Sequence, residues 1–234
     1  MSIDGVNILY NWFVWFVVND EIPEEMEKAG ERFSELESRA SAGDEDAQAA
    51  VAGVRAENAE DVAKNLATLE ALAAKGNALA LLSLGVLYHE GIAENGDAPS
   101  KTVILPLDMK KSDFYLAQAE EKGNLTALYM LCLHTWFRCC VFTRPDEEGE
   151  DLEDSERIYA LPTEEDFLNG EKWLLKMIAL AADKSLDDEK REYAESKESD
   201  ARIWLSALYE SDYPTSPIHN PEKAREWGKK SSKQ

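Results

Sequence analysis

Cysteine is scarce: Cys132, Cys139 and Cys140 are the only three in 234 residues. Three thiols cannot build a disulfide framework, and so few suit a reducing compartment. Basic residues are scarce too. Lys and Arg number 25 against 47 Asp and Glu, which sets the formal charge at -22. Phosphate binding needs a local excess of Lys and Arg, so this balance argues against nucleic acid and anionic membrane as direct partners. Long hydrophobic runs are missing. The longest, Ile8–Val18, has 11 residues and contains Asn11, whereas a bilayer span needs ~20. No basic residue precedes Lys28 and no small-residue cleavage site follows the run, so it does not read as a secretory signal. It is expected to be an N-terminal apolar capping element over residues 1–22, in a cytoplasmic protein. Strand signals are almost absent; the two short exceptions are Val14–Val18 and Thr102–Leu105.

What remains is helix. Ala, Leu, Glu and Lys dominate after residue 23, and the eight prolines sit at joints. The pattern predicts helices over about 23–42, 44–54, 57–75, 77–91, 108–122, 124–140, 164–183, 186–210 and 221–231. Gly43, Gly76 and Gly123 stand where helices stop, and each is followed by a capping residue, Asp44, Asn77 or Asn124.

That glycine-cap turn recurs with fixed company. From Gly76, Ala80 stands at +4, Leu84 at +8 and Gly85 at +9; from Gly123 the same offsets give Ala127, Leu131 and Cys132; from Gly43 they give Ala47, Val51 and Ala52. Ala201, Leu205 and Ser206 repeat the pattern near the C-terminus. Small residues at helical spacing let two helices approach closely. Residues 76–91, with Tyr88 and the closing His89-Glu90-Gly91, resemble the first helix of the Sel-one-like repeats, relatives of the tetratricopeptide repeats. Asn220 to Trp227, with Lys223 and Ala224, resembles the start of the second helix. Ala73-Ala74-Lys75-Gly76 and Ala119 to Gly123 are similar to its end. The resemblance implies an all-α fold: a short right-handed α/α superhelical solenoid over 23–234, with a protein as the partner. The glycines are 33 and then 47 residues apart, and Lys184 stands where the next is due. The surplus falls in loops 92–107 and 141–163, the second an acidic insertion.

The charge is concentrated. Residues 20–62 hold 14 acids to 4 bases, and residues 146–171 hold 12 acids to 1 base, so these two blocks carry nearly all of the net charge. The first lies on helical sequence, where Glu24, Glu27, Glu31 and Glu35 recur about once per turn and read as a wet face. The second opens with Asp146, Glu147, Glu148, Glu150, Asp151, Glu153, Asp154 and Glu156, and resumes with Glu164, Glu165 and Asp166. These eleven are the candidate partner-binding residues. A solvated loop is the plain alternative.

Chemistry is not signalled. Cys132, His134, Cys139 and Cys140 match no zinc spacing, and they lie in an apolar segment, 125–142, that reads as core. Trp136, Leu131 and Leu128 are expected to be buried there. No nucleophile elbow, phosphate loop or dinucleotide fingerprint is present. The expectation is no enzyme, no metal and no cofactor. Sel-one-like proteins include immunity proteins for secreted effectors, so the resemblance allows that role. Charge supplies a physical reason, since a strongly acidic protein is steered onto a basic partner. The reading is an acidic protein-binding module that neutralises a cognate basic bacterial toxin or effector. The alternative is a non-enzymatic adaptor or regulatory scaffold binding a cellular protein. The oligomeric state stays open.

Overall fold

The computed structural model describes residues 23–93, 102–141 and 161–231. The Ile8–Val18 run and most of the acidic insertion lie outside them. The chain divides into two compact units, residues 1–127 and 128–234.

In the first unit, α1 (Pro23–Ser41), α2 (Glu45–Glu57), α3 (Val62–Ala74), α4 (Ala78–Glu90) and α5 (Met109–Glu121) follow one another. Each runs against the next, as the cross-contacts show. Arg55 of α2 pairs with Glu37 of α1 at 2.6 Å, and Gln48 reaches the carbonyl of Ala40. Lys75 after α3 pairs with Glu45 at the start of α2, also at 2.6 Å. Ser112 of α5 donates to the carbonyl of Gly85 in α4 at 2.8 Å. Every other helix instead runs the same way: Asn77 before α4 donates to Asp46 in the first turn of α2 at 2.7 Å. At the far ends of this parallel pair, the charge of Glu90 acts on Glu57.

The glycine turns build this order. Gly43, Gly76 and Gly123 all have positive φ (96°, 83° and 83°), a backbone that side chains resist. Asp44, Asn77 and Asn124 then accept from the first free N–H groups of the next helix. The three turns lie side by side on one edge. Lys75 and Asn77 touch the Gly43 turn, and Lys122 lies on Gly76 with its Nζ 3.4 Å from where a Cβ would stand. Helix pairs stacked through repeated turns are the arrangement the resemblance implies.

Helix α4 is the centre. Ten of its thirteen residues are buried, and it packs on α2, α3 and α5. Gly85 lets α5 in: a Cβ there would meet Leu116 at 2.7 Å. Opposite the glycine turns, β1 (Ile92–Ala93) and β2 (Val103–Leu105) form an antiparallel pair joining α4 to α5. Ile92 faces Leu105 and Ala93 faces Val103, which leaves Ile104 as an extra residue between the pairs.

Helix α6 (Leu125–Trp136) begins in the first unit and ends in the second. There it passes into a π-helical turn, Phe137–Val141, where an unbroken α-helix to about 140 was expected. Two contacts hold the widened turn. Arg138 pairs with Asp166 at 2.5 Å, and Ser211 donates to the carbonyl of Cys139. Helices α7 (Glu164–Ala181), α8 (Asp188–Glu210) and α9 (Pro221–Ser231) complete the unit. Tyr209 of α8 donates to Glu171 of α7, and Ser206 of α8 to the carbonyl of Ala224 in α9 at 2.8 Å, so these three also alternate in direction. Helix α6 approaches α7 where Gly170 leaves room: a Cβ there would lie 2.1 Å from Thr135.

Leu128, Leu131, Leu84 and Tyr88 are buried as expected. Trp136 is not; it is half-buried. Its indole stacks on Trp204 with ring centres 5.4 Å apart, so one face is covered by a ring.

Candidate partner-binding surface

Of the eleven acids proposed from sequence, eight (Asp146 to Glu156) lie outside the described residues. The other three open α7, and the structure separates them. Glu164 and Glu165 are exposed. Asp166 is largely covered and already committed: it accepts from the Thr163 N–H at 2.7 Å, closing a capping box, and pairs with Arg138. Asp166 therefore anchors the helix start to the π turn, whereas Glu164 and Glu165 remain available to a partner. All three sit in the first turn, where the helix dipole favours negative charge.

Two further features were not singled out by sequence. On α6 and α8, Tyr129, Trp136 and Trp204 form a continuous aromatic group, with Tyr129 and Trp204 ring centres 5.5 Å apart. Tyr129 is fixed by its hydroxyl, 3.2 Å from Asp200, and by Lys197 over its ring at 4.8 Å. Phe137 sits against Trp136, and Ile203 beside Trp204 in the chain is 49% exposed. The second feature is on α7. Its inner face buries Phe167, Gly170, Leu174, Met177, Ile178 and Ala181. Its outer face carries exposed Leu168 and Leu175, with Leu161 just before the helix. The signal was present: leucines seven apart, out of phase with the core face.

The cysteines pack rather than react. All three are buried, and burial raises the Cys139 thiol well above its ordinary pKa, with Cys140 adding to the shift. His134 is buried as well. Among the described residues, no group of three or more His, Cys, Asp or Glu is placed to hold a metal ion. None of the described helices is long and apolar enough to cross a membrane.

No family model and no curated protein matches the chain. Among solved structures, the chain is similar to a protective antigen present in uropathogenic Escherichia coli strains that displays an SLR fold. Identity is 16% and the TM-score 0.32, over 99% of this chain and 53% of that one, so this chain spans about half the length of that protein. The stacked glycine turns, not this likeness, define the helix-pair architecture.

Proposed function

We propose that the protein is an acidic protein-binding module, and that its partner is a toxin or effector domain with a basic face, which it neutralises in the cytoplasm as an immunity protein. One observation carries this reading. The chain's densest acidic block ends on α7 with Glu164 and Glu165 exposed, in the unit that also carries half-buried Trp136 and exposed Ile203. Long-range charge would set the encounter rate, and apolar anchors would set the residence time. A non-enzymatic adaptor for a cellular protein is the second reading, and the aromatic face favours it, because such a surface takes apolar side chains without needing charge.

Affinity purification from the native cell, followed by killing assays, separates the two. A single basic polypeptide, tightly held and lethal without this chain, supports the immunity role. Several acceptors bound weakly and insensitively to salt support the adaptor. Neutralising the eight acids from Asp146 to Glu156 should slow association with the basic partner at low salt. The difference should vanish at high salt, since the Debye length falls from ~10 Å at 0.1 M to ~3 Å at 1 M.

A further inference from the structure

The outer face of α7 reads the same in both directions with its charges reversed. In order it presents Glu164, Leu168, Lys172 and Leu175, with Glu165 flanking Glu164 and Leu161 in the non-helical chain just before the helix, and all are exposed. The leucines are 54%, 51% and 38% exposed. Leu161 and Leu175 each stand seven residues from Leu168, while Glu164 and Lys172 each stand four away. Single exposed leucines are ordinary. Two a heptad apart on one helix face, with a third just before the helix and opposite charges placed symmetrically about Leu168, are not.

From this pattern we infer that α7 docks on α7 of a second copy of the chain, antiparallel, across a two-fold axis through Leu168. A two-fold contact must be self-complementary. Laid antiparallel with Leu168 on Leu168, the strip puts Leu161 against Leu175 of the second copy and Glu164 and Glu165 against its Lys172, and symmetry repeats each pairing. Laid parallel, the same strip sets Glu on Glu and Lys on Lys, which costs energy. Glu164, Glu165 and Lys172 sum to -1 in each copy, so little of the overall charge of -22 falls on the contact itself. At ~1.5 Å rise per residue Glu164 to Leu175 span ~17 Å, the footprint of a small two-helix interface. Such an interface sits at the low end of stable contacts, so a dimer in exchange with monomer near micromolar concentration is expected. The contact does not require the acidic block before residue 161, but it shares Glu164 and Glu165 with the proposed partner surface, so a second copy and a basic partner would compete for them.

The test is sedimentation velocity on the full chain from ~1 to ~200 μM, with circular dichroism confirming the fold of each variant. Wild type should pass from monomer to dimer in this range. Leu168→Asp places two carboxylates on the axis and should weaken the dimer at least ~30-fold, the loss expected at an interface hot spot. Lys172→Glu alone should weaken it, as should Glu164→Lys with Glu165→Lys. The three substitutions together should restore it, because the reversed pattern is again self-complementary. Leu168→Cys should cross-link to its own copy under mild oxidation, since the native cysteines are buried. A wild type that stays monomeric throughout overturns the proposal. So does a dimer indifferent to Leu168→Asp, or a triple variant that fails to recover.

Discussion

The two units stop their helices differently. In the first, α1, α3, α4 and α5 end at Gly43, Gly76, Gly91 and Gly123, all with positive φ; among the described residues of the second unit, no glycine has one. Helix α7 ends through Ala182 and Asp183, and α8 through Ser211. The regular unit is the one whose turns touch, because a stacked turn must be short and sharp. The described residues of the second unit carry instead an aromatic group and an outward leucine strip. The exception inside the first unit fits the same view. The link from α2 to α3 has no glycine, and Ala59 and Asp61 adopt left-handed backbone instead (φ 58° and 40°). Their strain is tolerated because Asn65, buried in α3, donates to the carbonyl of Glu60 at 2.7 Å and holds the loop.

Substitutions can test this contrast. The largest effect should come from filling the glycine gaps between packed helices. Gly170→Leu should destabilise the chain by about 3 kcal/mol and Gly85→Leu by ~1–3 kcal/mol, measured by urea unfolding. The ranking follows the closer approach at Gly170, 2.1 Å against 2.7 Å. If the two cost the same, helix spacing in the second unit is looser than described. Next, Trp136→Ala should cost ~2 kcal/mol, less than the ~3–5 kcal/mol of a fully buried Trp, because Trp136 is only half-buried. A loss above 4 kcal/mol would return Trp136 to the core.

A pH effect marks the first unit. Burial, with the charge of Glu90 adding to it, pushes the Glu57 carboxyl from 4.5 to about 7. Since the folded value exceeds the unfolded one, the folded chain holds the extra proton between these values, and stability falls as pH rises through that window. Glu57→Gln should therefore stabilise by about 1 kcal/mol above pH 7, allowing for solvent screening, and change nothing below pH 4.5. Thermal melts at pH 4.5 and pH 8 check it; equal gains at both would show that charge is not the cause. A smaller gain, ~0.5 kcal/mol, is expected from Ala59→Gly, which frees the left-handed turn at some entropic cost. Chelator should leave the melting temperature of both units unchanged, and stoichiometric release of zinc with a lower melting point would contradict that.

The helix-pair order was legible in sequence because a glycine followed by Asp or Asn is a local signal. It needs no knowledge of neighbours, and eight of the nine expected helices appear with ends shifted by only a few residues. The exception was the helix expected from 57, which starts at Val62, since left-handed Ala59 and Asp61 carry no compositional mark. The π turn was invisible for a related reason: Phe137 to Val141 is ordinary helical sequence, widened by Arg138 and Cys139 bonding to residues far along the chain. The strand signal at Thr102–Leu105 was correct, but its partner Ile92–Ala93 is too short to show one. Of the candidate site, acidity was readable and its division of labour was not. The capping box with Thr163 and the pairing with Arg138 separate Asp166 from the exposed Glu164 and Glu165.

The stacked glycine edge also decides where this chain can grow. Each of those turns is pressed on the next, so an added residue there would have to move a neighbouring helix pair. The surplus between the second and third glycines enters instead at the opposite rim, where α4 ends and Ile92–Ala93 pairs with Val103–Leu105. New sequence should therefore enter the first unit through one rim only. A peptide tag spliced between residues 94 and 101 should leave the helix register untouched, while the same tag spliced at Gly76 should unfasten the stack.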